Sequence, residues 1–110
     1  MIECTYHPET RTLLCRFSGR MDGANSEEVE KVIRGNISAI PGDEPAADSD
    51  AGLNIVFDLA GVDYVSSVFF RVCIATARKA KEGGFSIINT GPFVNKIFKT
   101  AGLEEILNVS

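Results

Sequence analysis

The stretch Leu53-Asn54-Ile55-Val56-Phe57-Asp58-Leu59 is nearly continuous apolar sequence, and it leads through Tyr64-Val65-Ser66-Ser67 into helix formers that reach Glu82. Its β-branched and aromatic residues predict a strand covered on both faces at the centre of a sheet. The residues after Ser67 predict a helix that runs to Glu82 and is stopped by Gly83-Gly84, which permit a left-handed terminal residue. The same alternation repeats downstream. Phe85-Ser86-Ile87-Ile88-Asn89 reads as a strand, and Thr90-Gly91-Pro92 as the start signal of a third helix, from Phe93 to about Thr100, with proline in its first turn. Gly102 can end that helix, and Leu103 to Leu107 then forms a last helical turn on the core.

Upstream, Leu13, Cys15 and Phe17 share one parity while Leu14, Arg16 and Ser18 share the other, the two-residue period of a half-buried strand over about residues 11–18. Ile2 to Tyr6 is a shorter strand, and His7-Pro8-Glu9-Thr10 holds turn formers, so the two predict an opening hairpin. Ser26 can cap a first helix over roughly 26–38, with Glu27 and Glu28 in its positive first turn and Val29, Val32, Ile33 and Ile37 at helical spacing. The order β-β-α-β-α-β-α predicts an α/β fold: a mixed central sheet of about four strands, an N-terminal hairpin at one side, and helices as right-handed crossovers packed on the sheet. If the strands near 53–59 and 85–89 are parallel neighbours, the amino ends of the second and third helices share one sheet edge.

A chain of 110 residues suits one domain, and 45% hydrophobic against 24% charged residues excludes disorder as its general state. No stretch approaches the roughly 18 to 20 apolar residues that span a bilayer, and Met1-Ile2-Glu3-Cys4 opens without a basic and then apolar leader. The expectation is a cytoplasmic protein without membrane insertion. Eleven basic and 15 acidic residues give −4, which argues against nucleic acid as partner. Asp43, Glu44, Asp48 and Asp50 carry that whole excess in the segment 41–52, expected to be a mobile acidic loop. Cys4, Cys15 and Cys73 are odd in number, lack CxxC spacing and fall on apolar segments, which predicts buried reduced thiols.

The chemistry available is narrow. The single histidine, His7, sits in a turn before proline, and no GxSxG elbow surrounds Ser66 or Ser67, so a serine hydrolase lacks its base. One histidine and three scattered cysteines do not give the paired spacing of a zinc site, and the acidic segment lacks the glycine and distal glutamate of a calcium loop. There is no Walker pattern and no GxGxxG. Neither a catalytic residue, a metal nor a cofactor is expected. A generic possibility is a small-anion or nucleotide sensor, with Ser66, Ser67 and Thr90 at the starts of the second and third helices.

Asp63-Tyr64-Val65-Ser66-Ser67-Val68-Phe69-Phe70-Arg71 is more informative. A serine caps the helix, but Val68, Phe69, Phe70 and Val72 span nearly every direction of the first turn and a half, so some apolar surface must face outward. On the helical wheel Ser67, Arg71 and Arg78 fall together with Phe70 and Ile74 flanking, which makes a docking patch. A phosphate on Ser67 would add about −1.5 to −2 charge at a helix start that tolerates it, while a partner that had buried the hydroxyl would have to desolvate the dianion.

Several segments, in order, resemble the STAS domain family, whose best-known members are bacterial anti-sigma factor antagonists. Gly19-Arg20-Met21-Asp22-Gly23-Ala24-Asn25 is similar to the family's passage from second strand to first helix, Asp58-Leu59-Ala60-Gly61-Val62 to its central strand and exit, Tyr64-Val65-Ser66-Ser67 to its phosphorylation loop, and Ile97-Phe98-Lys99-Thr100-Ala101-Gly102-Leu103 to its closing helix. By position the resemblance puts the phosphorylated serine on Ser67 and the partner-binding surface on Asp22, Ser66, Val68, Phe69, Phe70 and Arg71. It implies a non-enzymatic regulator that binds an anti-sigma factor with serine kinase activity when unmodified and releases it when Ser67 is phosphorylated. A constitutive STAS interaction module that is never phosphorylated, with Phe69 and Phe70 docked in a larger complex, is the alternative. Where the family usually has a small residue, glycine and leucine, this chain has Val68, Phe69 and Phe70, and Phe69 in place of glycine is expected to add bulk where a partner kinase approaches.

Overall fold

The computed structural model describes residues 1–40 and 53–110; the acidic segment expected to be a loop lies outside the described residues. Seven elements follow in order: β1 (Ile2–His7), β2 (Thr12–Met21), α1 (Gly23–Ser38), β3 (Leu53–Val65), α2 (Ser67–Ala77), β4 (Ala80–Ile88) and α3 (Pro92–Thr100). They build a four-stranded mixed sheet in the order β1-β2-β3-β4. β1 is antiparallel to β2, whereas β2, β3 and β4 run parallel. The α/β architecture, the opening hairpin and the helical crossovers are those predicted from the sequence.

Two successive crossovers step across the sheet in one direction, and right-handed connections of that kind lie on the same face. The burial of β3 reflects this: Leu53, Ile55, Phe57 and Leu59 are at most 2% exposed, while Asn54, Val56 and Asp58 between them keep solvent contact. Among the described residues β3 is therefore covered on one face and not on both, a correction to the reading of its apolar run. The covered face carries an aromatic cluster in which Phe57 lies 4.7 Å from Phe17 and 5.0 Å from Phe85, ring centre to ring centre. Val29, Ile33 and Ile37 of α1 and Phe69, Val72 and Cys73 of α2 close over it.

Three boundaries differ from the sequence reading. α1 begins at Gly23 and is capped by Asp22, whose carboxylate accepts from the Asn25 amide at 3.0 Å. Ser26 is instead wholly buried and donates to the Met21 carbonyl at 3.2 Å. α2 ends at Ala77, and the helix formers from Ala80 onward belong to β4, because Ala80 pairs with Leu53. Pairing to a neighbouring strand outweighs a local helix preference of a few tenths of a kcal/mol per residue. Gly83 (φ +74°) and Gly84 lie inside β4, where the register shifts between Leu53 and Ile55, so they permit a kink in a strand and do not stop a helix.

The third difference is length. β2 continues to Met21 and β3 to Val65 through two register shifts, opposite Arg16/Ser18 and Gly19/Arg20. At the first of these, Gly61 pairs with Ser18, and a β-carbon on Gly61 would stand 3.1 Å from the Phe17 carbonyl oxygen and from the Ser18 β-carbon. The lack of a side chain there lets two irregular strands stay together and carries the pair one further stretch outward. α3 behaves as predicted, with Pro92 in its first turn and Gly102 (φ +76°) past its end. Leu107 then donates its amide to the Leu103 carbonyl at 2.9 Å and is fully buried, and Val109 bridges Ile87.

Candidate functional site

The long β2–β3 pair determines where the helix starts lie. Met21 and Val65 are register partners at the ends of their strands, and the next residue, Ser66, donates its amide to the Met21 carbonyl at 3.0 Å. Asp22 and Ser66 are thereby held as caps of adjacent helices. α1 and α2 start so close together that a β-carbon on Gly23 would lie 3.9 Å from Val68 Cγ2.

At α2 the caps divide the two serines by role. Ser66 Oγ accepts from the Phe69 amide at 3.4 Å and the Ser66 carbonyl accepts from the Phe70 amide at 3.1 Å. Ser66 is half-buried and has a structural task. Ser67, the first helical residue, is exposed, and its hydroxyl makes no hydrogen bond to the described residues. Arg71 stands one turn further on and is exposed, as are Ala75 and Arg78, so the predicted stripe of Ser67, Arg71 and Arg78 faces solvent. Val68, Phe70 and Ile74 flank it half-buried.

Phe69 is where the prediction fails. It is fully buried, with its ring 5.4 Å from Phe17 in an edge-to-face arrangement and 6.3 Å from Phe57. Its bulk enters the core and adds nothing to the approach to Ser67, so it cannot dock a partner by direct contact. The residue lies two positions after Ser67, on the side of α2 that faces the sheet; the wheel placed the apolar residues all round without knowing which direction the sheet occupied.

Phe70 does reach outward. Its ring lies 5.2 Å from Phe98 of α3, and with Phe93, Ile97, Thr100, Ala101 and Lys96 it lines a groove of about 450 Å³ between α2 and α3. Phe93 is 61% exposed. Neither Phe93 nor Ile97 was marked by sequence reasoning, because α3 alone does not tell which of its apolar positions the neighbouring helix leaves open. A second missed feature is the Arg20 guanidinium, 4.5 Å above the Tyr64 ring, a cation–π contact made possible because Arg20 and Tyr64 are register partners near the strand ends.

Thr90 follows β4, at the same sheet edge but after a shorter strand. β4 ends its pairing at Ile88, opposite Asp58, while β3 continues from Leu59 to Val65 before α2 begins. The Thr90 hydroxyl donates to the Ser110 carbonyl at 2.8 Å and accepts from Asn95 Nδ2 at 3.1 Å. The structure brings Asp22, Ser66, Ser67 and Val68 together at the end of the β2–β3 pair, whereas the Thr90 hydroxyl is engaged by Ser110 and Asn95.

The accessible Ser67 hydroxyl, the Arg71 guanidinium one turn away and the apolar groove alongside are carried by an α/β domain built on a four-stranded mixed sheet. The chain belongs to the STAS domain family, whose family model matches residues 3–110. A crystal structure of an anti-sigma factor antagonist from Mycobacterium paratuberculosis superposes with a TM-score of 0.76 at 22% identity, over 99% of this chain and 83% of that one. An anti-sigma-factor antagonist (STAS) domain protein from Planctomyces limnophilus gives 0.75 at 14% identity, over 99% and 87%. The Bacillus cell fate determinant SpoIIAA, in its phosphorylated form, gives 0.61 at 15% identity, over 100% and 91%. At these identities the likeness is one of fold. None of the curated proteins matches the chain.

Proposed function

We propose that this chain is a switchable antagonist: unmodified, it binds an anti-sigma factor with serine kinase activity, and phosphorylation of Ser67 by that kinase releases it. The observation that carries the reading is the division of labour between the two serines. Ser66 caps α2 and is committed to the fold, whereas Ser67 is exposed at the first helical position. A phosphate there meets the positive end of α2, a favourable term of roughly 0.3 to 1 kcal/mol, and lies one turn from Arg71, so the folded chain tolerates the modification. A partner seated over α2 does not, because it must desolvate a dianion against an apolar rim formed by Val68 and Phe70.

The test is incubation with the cognate kinase followed by phosphosite mapping, and titration of the same partner with the unmodified chain and with Ser67→Asp. Phosphate on Ser67 and at least a tenfold loss of affinity, equivalent to about 1.4 kcal/mol, are expected. Equal affinity of the two forms contradicts the switch.

One observation favours a second reading, a constitutive STAS module. The apolar groove with its exposed Phe93 is a docking surface that needs no phosphate. In that case Phe93→Ser weakens the complex and Ser67→Asp leaves it unchanged.

A further inference from the structure

The cysteine spacing in the sequence gives no pair, but the hairpin makes one. The register of β1 and β2 sets Cys4 directly opposite Cys15, with the two Sγ atoms 3.6 Å apart and joined by a hydrogen bond. Cys15 is wholly buried on the core face of β2, while Cys4, on the edge strand β1, is half-buried and keeps solvent contact. The two thiols differ in acidity for the same reason. When Cys4 ionises, Cys15 donates its S–H to the thiolate, which holds Cys4 below the usual thiol range; the same bond, with burial, pushes Cys15 up. The pair is thus an accessible nucleophile with a protonated thiol behind it.

We propose that Cys4 and Cys15 are a peroxide-sensitive site that closes to a reversible intrachain disulfide. In the first step the Cys4 thiolate attacks one oxygen of the peroxide, the O–O bond breaks and hydroxide leaves; the sulfur is oxidised to a sulfenic acid and the peroxide is reduced. In the second, Cys15 sulfur attacks Cys4 sulfur, the S–O bond breaks, and the hydroxyl leaves as water with the Cys15 proton. Rotation of the side chains must bring the sulfurs from 3.6 Å to about 2.05 Å. Facing residues on antiparallel strands hold their β-carbons roughly 4.5 to 5.5 Å apart, wider than the roughly 3.8 Å of a relaxed disulfide, so the bridge is strained and a dithiol reopens it readily. Cys73, wholly buried in α2 with its thiol pushed up by burial, is the internal reference that stays reduced.

The experiment treats the full chain with hydrogen peroxide, alkylates free thiols after denaturation, and reads intact mass and peptide map. The expected result is loss of two of the three alkylatable thiols, a linked Cys4–Cys15 peptide, and recovery of all three with dithiothreitol. In Cys15→Ser the reaction halts at a Cys4 sulfenic acid that dimedone captures, and Cys73→Ser behaves as the unaltered chain does. Oxygen added to Cys4 without a crosslink, disulfide-linked dimers, or three unreacted thiols each overturn the proposal. The unaltered chain decides the matter even where Cys15→Ser fails to fold.

Discussion

Phe69 and Ser67 stand two positions apart in α2, and their surroundings are opposite: one is sealed in the aromatic core, the other open to solvent. Replacing Phe69 by the glycine usual in the family therefore does not clear a path for a partner. It removes a ring that contacts Phe17 and Phe57 and adds a flexible residue to the first turn of α2. Phe69→Gly is expected to cost at least about 3 to 5 kcal/mol, the range for emptying a buried phenylalanine site, measured by urea unfolding. An unfolding free energy within about 1 kcal/mol of that of the unaltered chain would mean that Phe69 does not fill the core. The Ser66 hydroxyl works at the same scale. Ser66→Ala is expected to lose about 1 kcal/mol as its cap bond to the Phe69 amide disappears, whereas Ser67→Ala changes stability by less than about 0.5 kcal/mol.

Among the elements, the paired strands β2 and β3 matter most, because their irregular outer stretch carries both helix starts to one place. Gly61→Ala sets a methyl group 3.1 Å from the Phe17 carbonyl oxygen and from the Ser18 β-carbon, both on β2. The expected cost is about 1 to 3 kcal/mol, with the β2–β3 contact loosened beyond Ser18 and faster amide exchange at Ser66, whose amide bonds the Met21 carbonyl. Unchanged exchange at Ser66 would separate that bond from the Gly61 crossing. These elements also mark how far the sequence could be read. The alternation of Leu13, Cys15 and Phe17, the turn at His7-Pro8-Glu9-Thr10, and the Gly91-Pro92 start of α3 were legible because each signal is local. The passage of β3 beyond Leu59 was not, since Gly61 and Asp63 look like loop residues until bulges join them to β2. The end of α2 was hidden likewise: Ala80 and Lys81 favour helix alone, and their pairing to β3 comes from a distant segment.

Across the described residues, the helices pack on one face of the sheet and leave the other partly open. On that face Leu14, Val56 and Ser86 form one cross-strand row. Val56→Thr is accordingly expected to cost less than about 1 kcal/mol, while Ile55→Thr, one residue away on the covered face, costs several times more by leaving a hydroxyl in the core. Equal losses in thermal unfolding would contradict a one-sided core. At this scale the family resemblance and the residue patterns agreed on architecture, and Ser67, Arg71 and Phe70 were legible as an outward group because helical spacing fixes neighbours along one face. The groove with Phe93 and Ile97 was not legible, since it depends on how α3 lies against α2.

The proposed switch turns on the exposed hydroxyl of Ser67, and phosphosite mapping coupled to partner titration reads its modification and its effect together. Modification is expected at Ser67 and not at the capping Ser66, with affinity for the kinase partner falling at least tenfold in the modified chain. Phosphate confined to Ser66, or a complex equally tight before and after modification of Ser67, would contradict it.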